Sequence, residues 1–194
     1  MPLPATTMPL KASDRELLSR VAAGDRGALE ELYLGYHRRL ASFLSRFTRQ
    51  YENVEEIIND TFMVVWQRAR DFRNASQVST WIMGIAYRTA LKSLRRQKNH
   101  ANALSLDDSP EQFIDPSADA EVGDWLRHGL ERLPLEQRLT LQLAYHMGHS
   151  LDEIAAITDV PVGTVKARMF HAREKLRHYL PALGGTPSSP PRSA

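Results

Sequence analysis

The chain of 194 residues contains no cysteine, which excludes disulfides and thiolate metal sites and fits a reducing compartment. It has no apolar run long enough to span a bilayer, and its N-terminus lacks the basic-then-apolar order of a signal peptide. No membrane insertion is expected, and the expected location is cytoplasmic. A glycine-rich phosphate loop and a serine elbow are also missing. The seven histidines are scattered; His146 and His149 lie near one another, but no cysteine or clearly placed carboxylate completes a metal site. They read as surface or helix-end residues. No enzyme, metal or cofactor is therefore expected.

Charge is present but unevenly placed. The net charge is only +2, yet every charge from Arg88 to Lys98 is positive and every charge from Asp107 to Asp124 is negative. From Lys166 to Arg177 the charges are mostly positive again. Two basic blocks separated by an acidic stretch suggest two nucleic-acid contacts joined by a linker.

The most informative stretch is SLDEIAAITDVPVGTVKARMFHAREKLR, Ser150 to Arg177. Ser150 and Glu153 form a capping box that predicts a short helix from Leu151 to about Thr158, with Leu151, Ile154, Ala155 and Thr158 on one face. Asp159-Val160-Pro161 breaks it, and Pro161 suits the first turn of a new helix, where its missing N–H costs nothing. Val165, Met169, Ala172 and Leu176 then recur at helical spacing as a buried stripe. The other faces carry Lys166, Arg168, Phe170, His171, Arg173, Lys175 and Arg177. This is the pattern of a helix-turn-helix, whose second helix enters the DNA major groove. Phe170 stands among cations where burial does not explain it; contact with a thymine methyl or a base edge does.

Along the rest of the chain, residues 1–12 read as a disordered tail with three prolines. Ser13 and Glu16 form a second capping box, opening a short helix that stops at Gly24. A longer helix is predicted from about Gly27 to Thr48, with Leu29, Leu32, Tyr33, Tyr36, Leu40, Phe43, Leu44 and Phe47 in the core. Asn53 and Glu56 mark the start of the next, whose seam is Ile57, Ile58, Thr61, Phe62, Val65 and Trp66. Its other faces show Glu55, Glu56, Asn59, Asp60 and Met63, an acidic surface that is either solvated or a dock for a basic partner helix.

A polar loop from Phe72 to Thr80 precedes a helix from Trp81 to about Lys98. An aromatic-flanked loop beside a helix bearing Arg88, Lys92, Arg95, Arg96 and Lys98 is the arrangement that binds single-stranded DNA, though a plain charged helix end has the same composition. Residues 99–118 are polar, acidic and proline-containing, as in a linker between domains. Helical pattern resumes near Asp119, with Val122, Trp125, Leu126, Gly129, Leu130 and Leu133 in one stripe. A further helix is predicted from Pro134 through Leu139, Leu143 and Tyr145 to near Gly148. Residues 181–194 read as a disordered tail. The expected fold is all-α: two small helical domains joined by an acidic flexible linker, the C-terminal one a helix-turn-helix.

The segments GDRGALEELYLGYHRRL, VEEIINDTFMVVWQRARDF, STWIMGIAYRTAL and LDEIAAITDVPVGTVKARMFHAREKLR together resemble the bacterial extracytoplasmic-function (ECF) sigma factors of the sigma-70 family. The resemblance covers about Asp14 to Leu180. It implies a non-catalytic promoter-recognition subunit of RNA polymerase, with region 2 at 13–98 for core polymerase and the −10 element. It places region 4 at 119–180 for the −35 element. The implied partners are core RNA polymerase (its β′ clamp helices and β subunit), promoter DNA and an anti-sigma factor. Glu56, Ile57, Asn59, Asp60 and Met63 would dock on the clamp helices. Phe72, Asn74, Ser76, Trp81, Arg88, Lys92 and Arg95 would serve the −10 element. At the −35 element, Lys166, Ala167, Phe170 and His171 fall at base-reading positions, and Gly163, Thr164, Arg168 and Arg173 at phosphate contacts. The chain departs from many members at Arg88 and at Lys92 or Ser93, and from several at Ala167 and His171.

Other classes remain open at this point. A stand-alone helix-turn-helix regulator has no need of the acidic helix face or the long acidic linker. A sigma-mimic interaction module has no need of a cationic recognition helix. A helical enzyme lacks a site.

Overall fold

The computed structural model describes residues 12–47, 51–104 and 128–183, and among these residues there is no strand. Helix α1 (Asp14–Ala22) starts at Ser13, where both hydrogen bonds of the expected capping box are present. Gly24 ends this segment at a φ of +93°, a left-handed conformation that costs glycine little. Asp25 then caps α2 (Arg26–Leu44), accepting from the Ala28 N–H at 3.1 Å and pairing with Arg20 at 2.8 Å. The Ala28 amide, and next Arg20, hold the Asp25 carboxyl below its usual range.

Helix α2 stops at Leu44, short of the predicted Thr48. The chain tightens there into three-residue turns, Arg46 N–H to Phe43 O and Phe47 N–H to Leu44 O. Phe47 stays buried all the same, 5.1 Å from Phe43 between ring centroids. Helix α3 (Tyr51–Arg68) begins before Asn53 and passes through a 3-10 turn at Ala69–Asp71. Helix α4 (Val78–Leu104) continues past Lys98, where the sequence suggested a linker.

In the C-terminal half, residues 128–131 are helical, and α5 (Leu135–Leu141) follows Pro134. Its continuation widens into a π turn at Gln142–His146. Leu143 stays buried there, while Tyr145, two residues on and so on the opposite side of the helix, is 67 % exposed. Gly148, at a φ of +70°, leads into α6 (Leu151–Thr158), capped by Ser150 and Glu153 as expected. Asp159 turns the chain in the left-handed conformation, and α7 (Val162–Leu183) follows.

The core positions follow the apolar stripes. Leu17, Leu18, Leu32, Leu40, Phe43, Ile58, Phe62, Val65, Ile82 and Ala86 are buried in the N-terminal half, and Leu139, Leu143, Ile154, Val165, Met169 and Ala172 in the C-terminal half. Ile157, absent from the predicted face of α6, is completely buried. Its burial reflects packing beyond its own half, because α6 lies against α4. The two halves thereby share one continuous apolar cluster. The acidic positions Asp107, Asp108, Glu111, Asp115 and Asp119, and the stripe residues Val122, Trp125 and Leu126, lie outside the described residues. Among the described residues no helix is long and apolar enough to cross a membrane.

Candidate nucleic-acid interface

The helix-turn-helix is built from its turn. Asp159 has a φ of +56°, and the Val160 N–H returns to Ala155 O at 3.2 Å, closing α6. Thr164 N–H bonds Pro161 O at 2.8 Å and starts α7. Burial of Val165, Met169 and Ala172, with Leu176 half-buried, fixes the rotation of α7 about its axis. Gly163, Lys166, Ala167, Phe170, His171 and Arg173 consequently face solvent, and Thr164 is half-buried. Phe170 is 60 % exposed and meets the His171 ring edge-on at 5.5 Å.

The arginines of this helix at the expected phosphate positions, Arg168 and Arg173, are not free cations. Arg173 lies over the Tyr145 ring, 5.7 Å from its centroid, and donates to the phenol oxygen. Arg168 departs from its expected outward phosphate contact. Its side chain is only 17 % exposed and is paired with Glu136 of α5 at 2.5 Å. The Tyr87 phenol, pushed up chiefly by burial, lies within the reach of the same guanidinium. The apolar period gave the direction of Arg168 but not the carboxylate that captures it.

The second candidate set lies along α4. The rings of Phe72 and Trp81 meet at 5.4 Å, both half-buried, and so fix the loop to the helix start. Asn74 sits at the loop tip with a φ of +57°, tolerated because asparagine visits the left-handed region more readily than most residues. Asn74 is exposed and Ser76 half-buried, while Arg88, Lys92 and Arg95 form an exposed cationic edge.

The third set is the acidic face of α3. Glu56, Asn59, Asp60 and Met63 are exposed, Met63 to 57 %. Tyr33 donates to Asn59 Oδ1 at 3.3 Å and holds that amide in place. Ile57 is 3 % exposed and cannot belong to an outer contact; it lies behind this face in the core. Leu34, 68 % exposed on α2, was not singled out; it falls off the Leu32–Tyr36–Leu40 stripe, which is the signal that marks it.

The seam between the halves brings the first two sets together. Thr80 of α4 donates to Glu153 of α6 at 3.0 Å. Arg39 of α2 donates to Met147 O at 3.3 Å and lies 3.4 Å from His149 Nε2. Ser42 Oγ and His146 Nε2 are 3.0 Å apart, and Arg138 donates to Arg46 O at 3.3 Å. The Ser150 amide, and then the Thr80 hydroxyl, hold the Glu153 carboxyl below its usual range. His149 is buried, and burial together with Arg39 holds its imidazole down against the pull of Glu153. The Arg88 guanidinium is partly desolvated at this seam, which holds it below the arginine range; Asp159 opposes the shift and Arg68 adds to it.

Comparison with known proteins finds two families that match the chain. A family described as Sigma-70 region 2 matches residues 32–100, and one described as Sigma-70, region 4 matches residues 123–176. The chain is 33 % identical over 168 residues to the ECF RNA polymerase sigma factor SigM of Mycobacterium tuberculosis (strain ATCC 25618 / H37Rv), covering 87 % of this chain and 85 % of SigM. It is 31 % identical over 184 residues to the ECF RNA polymerase sigma-E factor of Escherichia coli (strain K12), covering 88 % and 96 %. Among solved structures, CnrH in complex with the cytosolic domain of CnrY is similar with a TM-score of 0.65 at 24 % identity, over 87 % of this chain and 97 % of CnrH. The sigma factor RpoE in complex with the anti-sigma factor NepR, from Bartonella quintana, is similar with a TM-score of 0.67 at 22 % identity, over 78 % and 95 %.

Proposed function

This chain belongs to the ECF RNA polymerase sigma factors, and we propose that its three exposed surfaces divide the work of promoter recognition. The acidic face Glu56, Asn59, Asp60 and Met63 on α3 docks on core polymerase, at the β′ clamp helices. The segment Phe72–Thr80, a loop as far as Gln77 and the first turn of α4 beyond it, takes the −10 element together with Trp81 and the cations Arg88, Lys92 and Arg95. The outward face of α7 takes the −35 element, with Lys166, Ala167, Phe170 and His171 toward base edges and Gly163, Thr164 and Arg173 toward phosphates. Region 2, expected at 13–98, then extends to the end of α4 at Leu104, and the linker shortens from 99–118 to 105–118. Region 4 runs from 119 through the end of α7 at Leu183 rather than to 180, and the tails are 1–12 and the residues after Leu183 rather than 181–194. The protein acts in the cytoplasm and has no catalytic activity of its own. An anti-sigma factor controls it, a reading supported by the similar RpoE having been solved with one.

The observation that carries this reading is the orientation of α7. Its apolar stripe is buried and capped by the turn at Asp159, leaving Lys166, Phe170 and His171 outward on one helix. The test is transcription by core polymerase on a panel of promoter fragments, with and without the protein. Initiation at specific promoters that depends on the protein is expected, and Asp60→Arg abolishes co-elution with core polymerase without loss of helicity, since charge reversal at a complementary interface adds repulsion. Tight operator-like binding by the free protein, with no stimulation of polymerase, would sink the reading.

A further inference from the structure

The loop from Phe72 to Gln77 hangs between the 3-10 turn Ala69–Asp71 and the start of α4, and its two stems are tied to opposite ends of α1. At the leading stem, Arg70 Nε donates to Ala22 O at 2.8 Å. Ala22 is the last residue of α1, where a helix carbonyl has no partner within the helix and a cation meets the negative end of the dipole. The turn passes this tie on to the loop, because the Phe72 N–H bonds Ala69 O at 3.3 Å and Arg68 pairs with Asp71 at 3.1 Å. At the trailing stem, Ser79 stands in the first turn of α4, two residues past the loop. Its hydroxyl bonds the Tyr36 phenol, which in turn donates to the Asp14 carboxylate in the first turn of α1.

Each tie alone has a plain structural use. A buried phenol needs a partner wherever it lies, and Tyr36 is 6 % exposed. Burial, followed by Asp14, pushes that phenol well above the tyrosine range, so it remains a donor near neutral pH. What the core does not require is that the partners of Tyr36 be one residue of α1 and one of the loop's stem. Arg70 is exposed and has water available, yet it reaches a carbonyl 48 residues away. The two ties stand about 12 Å apart along α1, at ~1.5 Å per residue. Between them Leu17, Leu18 and Val21 seat α1 on the core, so it spans the base of the loop as a fixed bar.

We propose that α1 braces the −10 loop, with Arg70 and Tyr36 as positioning residues that hold its two stems in the shape that captures a base. The proposal deepens the promoter-recognition reading above and rests on it. Neither residue touches DNA; each acts through the loop. Freedom that the loop has lost before DNA arrives need not be lost on binding, so the brace adds affinity through pre-organisation. That gain falls on sequence-selective capture. The cations Arg88, Lys92 and Arg95 attract any single strand through its phosphates and do not depend on the shape of the loop.

The test uses holoenzyme and two single-stranded oligonucleotides. One carries the −10 sequence that the wild-type holoenzyme selects from a randomised library, and the other is a scramble of it. Tyr36→Phe keeps the buried ring and loses the hydroxyl; Arg70→Ala loses the donor to Ala22 O. Each should weaken binding of the selected strand about three- to tenfold, the worth of one hydrogen bond, and leave the scramble unchanged. Arg70→Lys keeps a donor and should recover part of the loss. Co-elution with core polymerase and the −35 preference should stay as in the wild type for all three. If Tyr36→Phe does not fold by circular dichroism, the exposed Arg70 pair carries the test. Equal weakening of both strands together with a lowered melting temperature would assign these bonds to the fold alone and overturn the proposal. Unchanged discrimination in Arg70→Ala would overturn it as well. A wild-type holoenzyme that selects no −10 sequence would instead overturn the promoter reading, and the brace with it.

Discussion

The hydroxyl of Thr80 donates to one carboxylate oxygen of Glu153 at 3.0 Å, while the other oxygen accepts the Ser150 N–H at 2.9 Å. One side chain thus closes the start of α6 and ties it to α4. The two roles can be separated by a double-mutant cycle. Thr80→Val removes only the tie, and Glu153→Gln leaves one oxygen to accept the Ser150 N–H while putting an amide nitrogen, which cannot accept, opposite the Thr80 hydroxyl. A coupling of about 0.5–1.5 kcal/mol in urea unfolding is expected, the net worth of a hydrogen bond in a protein. Additive single effects would show that the tie contributes nothing.

How much of this was legible in the sequence depends on how local each cause is. Both capping boxes were legible because Ser13 with Glu16 and Ser150 with Glu153 interact three residues apart. The rotation of α7 was legible because Val165, Met169 and Ala172 keep helical period. The seam was not, because Arg39 and Met147 stand 108 residues apart and no period connects them. The burial of Ile157 follows from that same seam, and the capture of Arg168 by Glu136 from packing between α5 and α7, 32 residues apart within the C-terminal half. Ile57 was assigned to both core and surface by sequence; a position cannot serve both, and the core has it. The π turn was illegible because one widened turn leaves the apolar spacing of Leu139 and Leu143 nearly unchanged.

Tyr145 is a positioning residue for Arg173. The ring beneath the guanidinium and the phenol oxygen beside it restrict Arg173 before DNA arrives. Tyr145→Phe should keep the ring contact and weaken −35 use by about 0.5–1 kcal/mol, the worth of one hydrogen bond. Tyr145→Ala also removes the cation–π contact, itself about 0.5–1 kcal/mol at an exposed site, and should weaken it further. Both losses should fall evenly on all −35 sequences, measured by titrating promoter fragments with holoenzyme. A changed sequence preference in Tyr145→Ala would show that the tyrosine itself reads a base.

His149 should make the fold acid-sensitive. Its imidazole faces Arg39 from α2 and Glu153 from α6, and its pKa is lowered by burial and by Arg39. A lowered folded-state pKa means the unfolded chain takes up the proton first. The stability is therefore present above the ~6.5 of an unperturbed imidazole and is lost as pH falls through the folded value. The lowered Glu153 carboxyl acts in the same direction but only near the carboxylate range, about two units further down. Thermal melts between about pH 7.5 and about pH 5.5, which brackets the imidazole value, should show falling stability, and His149→Asn should flatten that slope. An unchanged slope in the variant would remove His149 as its source.

The recognition helix separates reading from holding. Lys166, Phe170 and His171 are exposed on α7, Phe170 with its ring edge-on to His171. Arg173 is exposed too, but tethered to Tyr145 away from that pair. Losing a base contact changes which sequences are preferred, at roughly 1–3 kcal/mol for each good bidentate pair. Losing a phosphate contact lowers binding to every sequence and flattens its salt dependence. Lys166→Ala and His171→Ala should each shift the preferred −35 sequence in a randomised library transcribed by the variant holoenzyme. Arg173→Ala should leave the preference intact and reduce use of all members together. Arg168→Ala has a third signature. Because Glu136 already holds Arg168 inward, its loss should lower the urea midpoint of the free chain and leave the library preference unchanged. A sequence shift in Arg168→Ala would mean that the ion pair opens on DNA and that Arg168 joins the reading face.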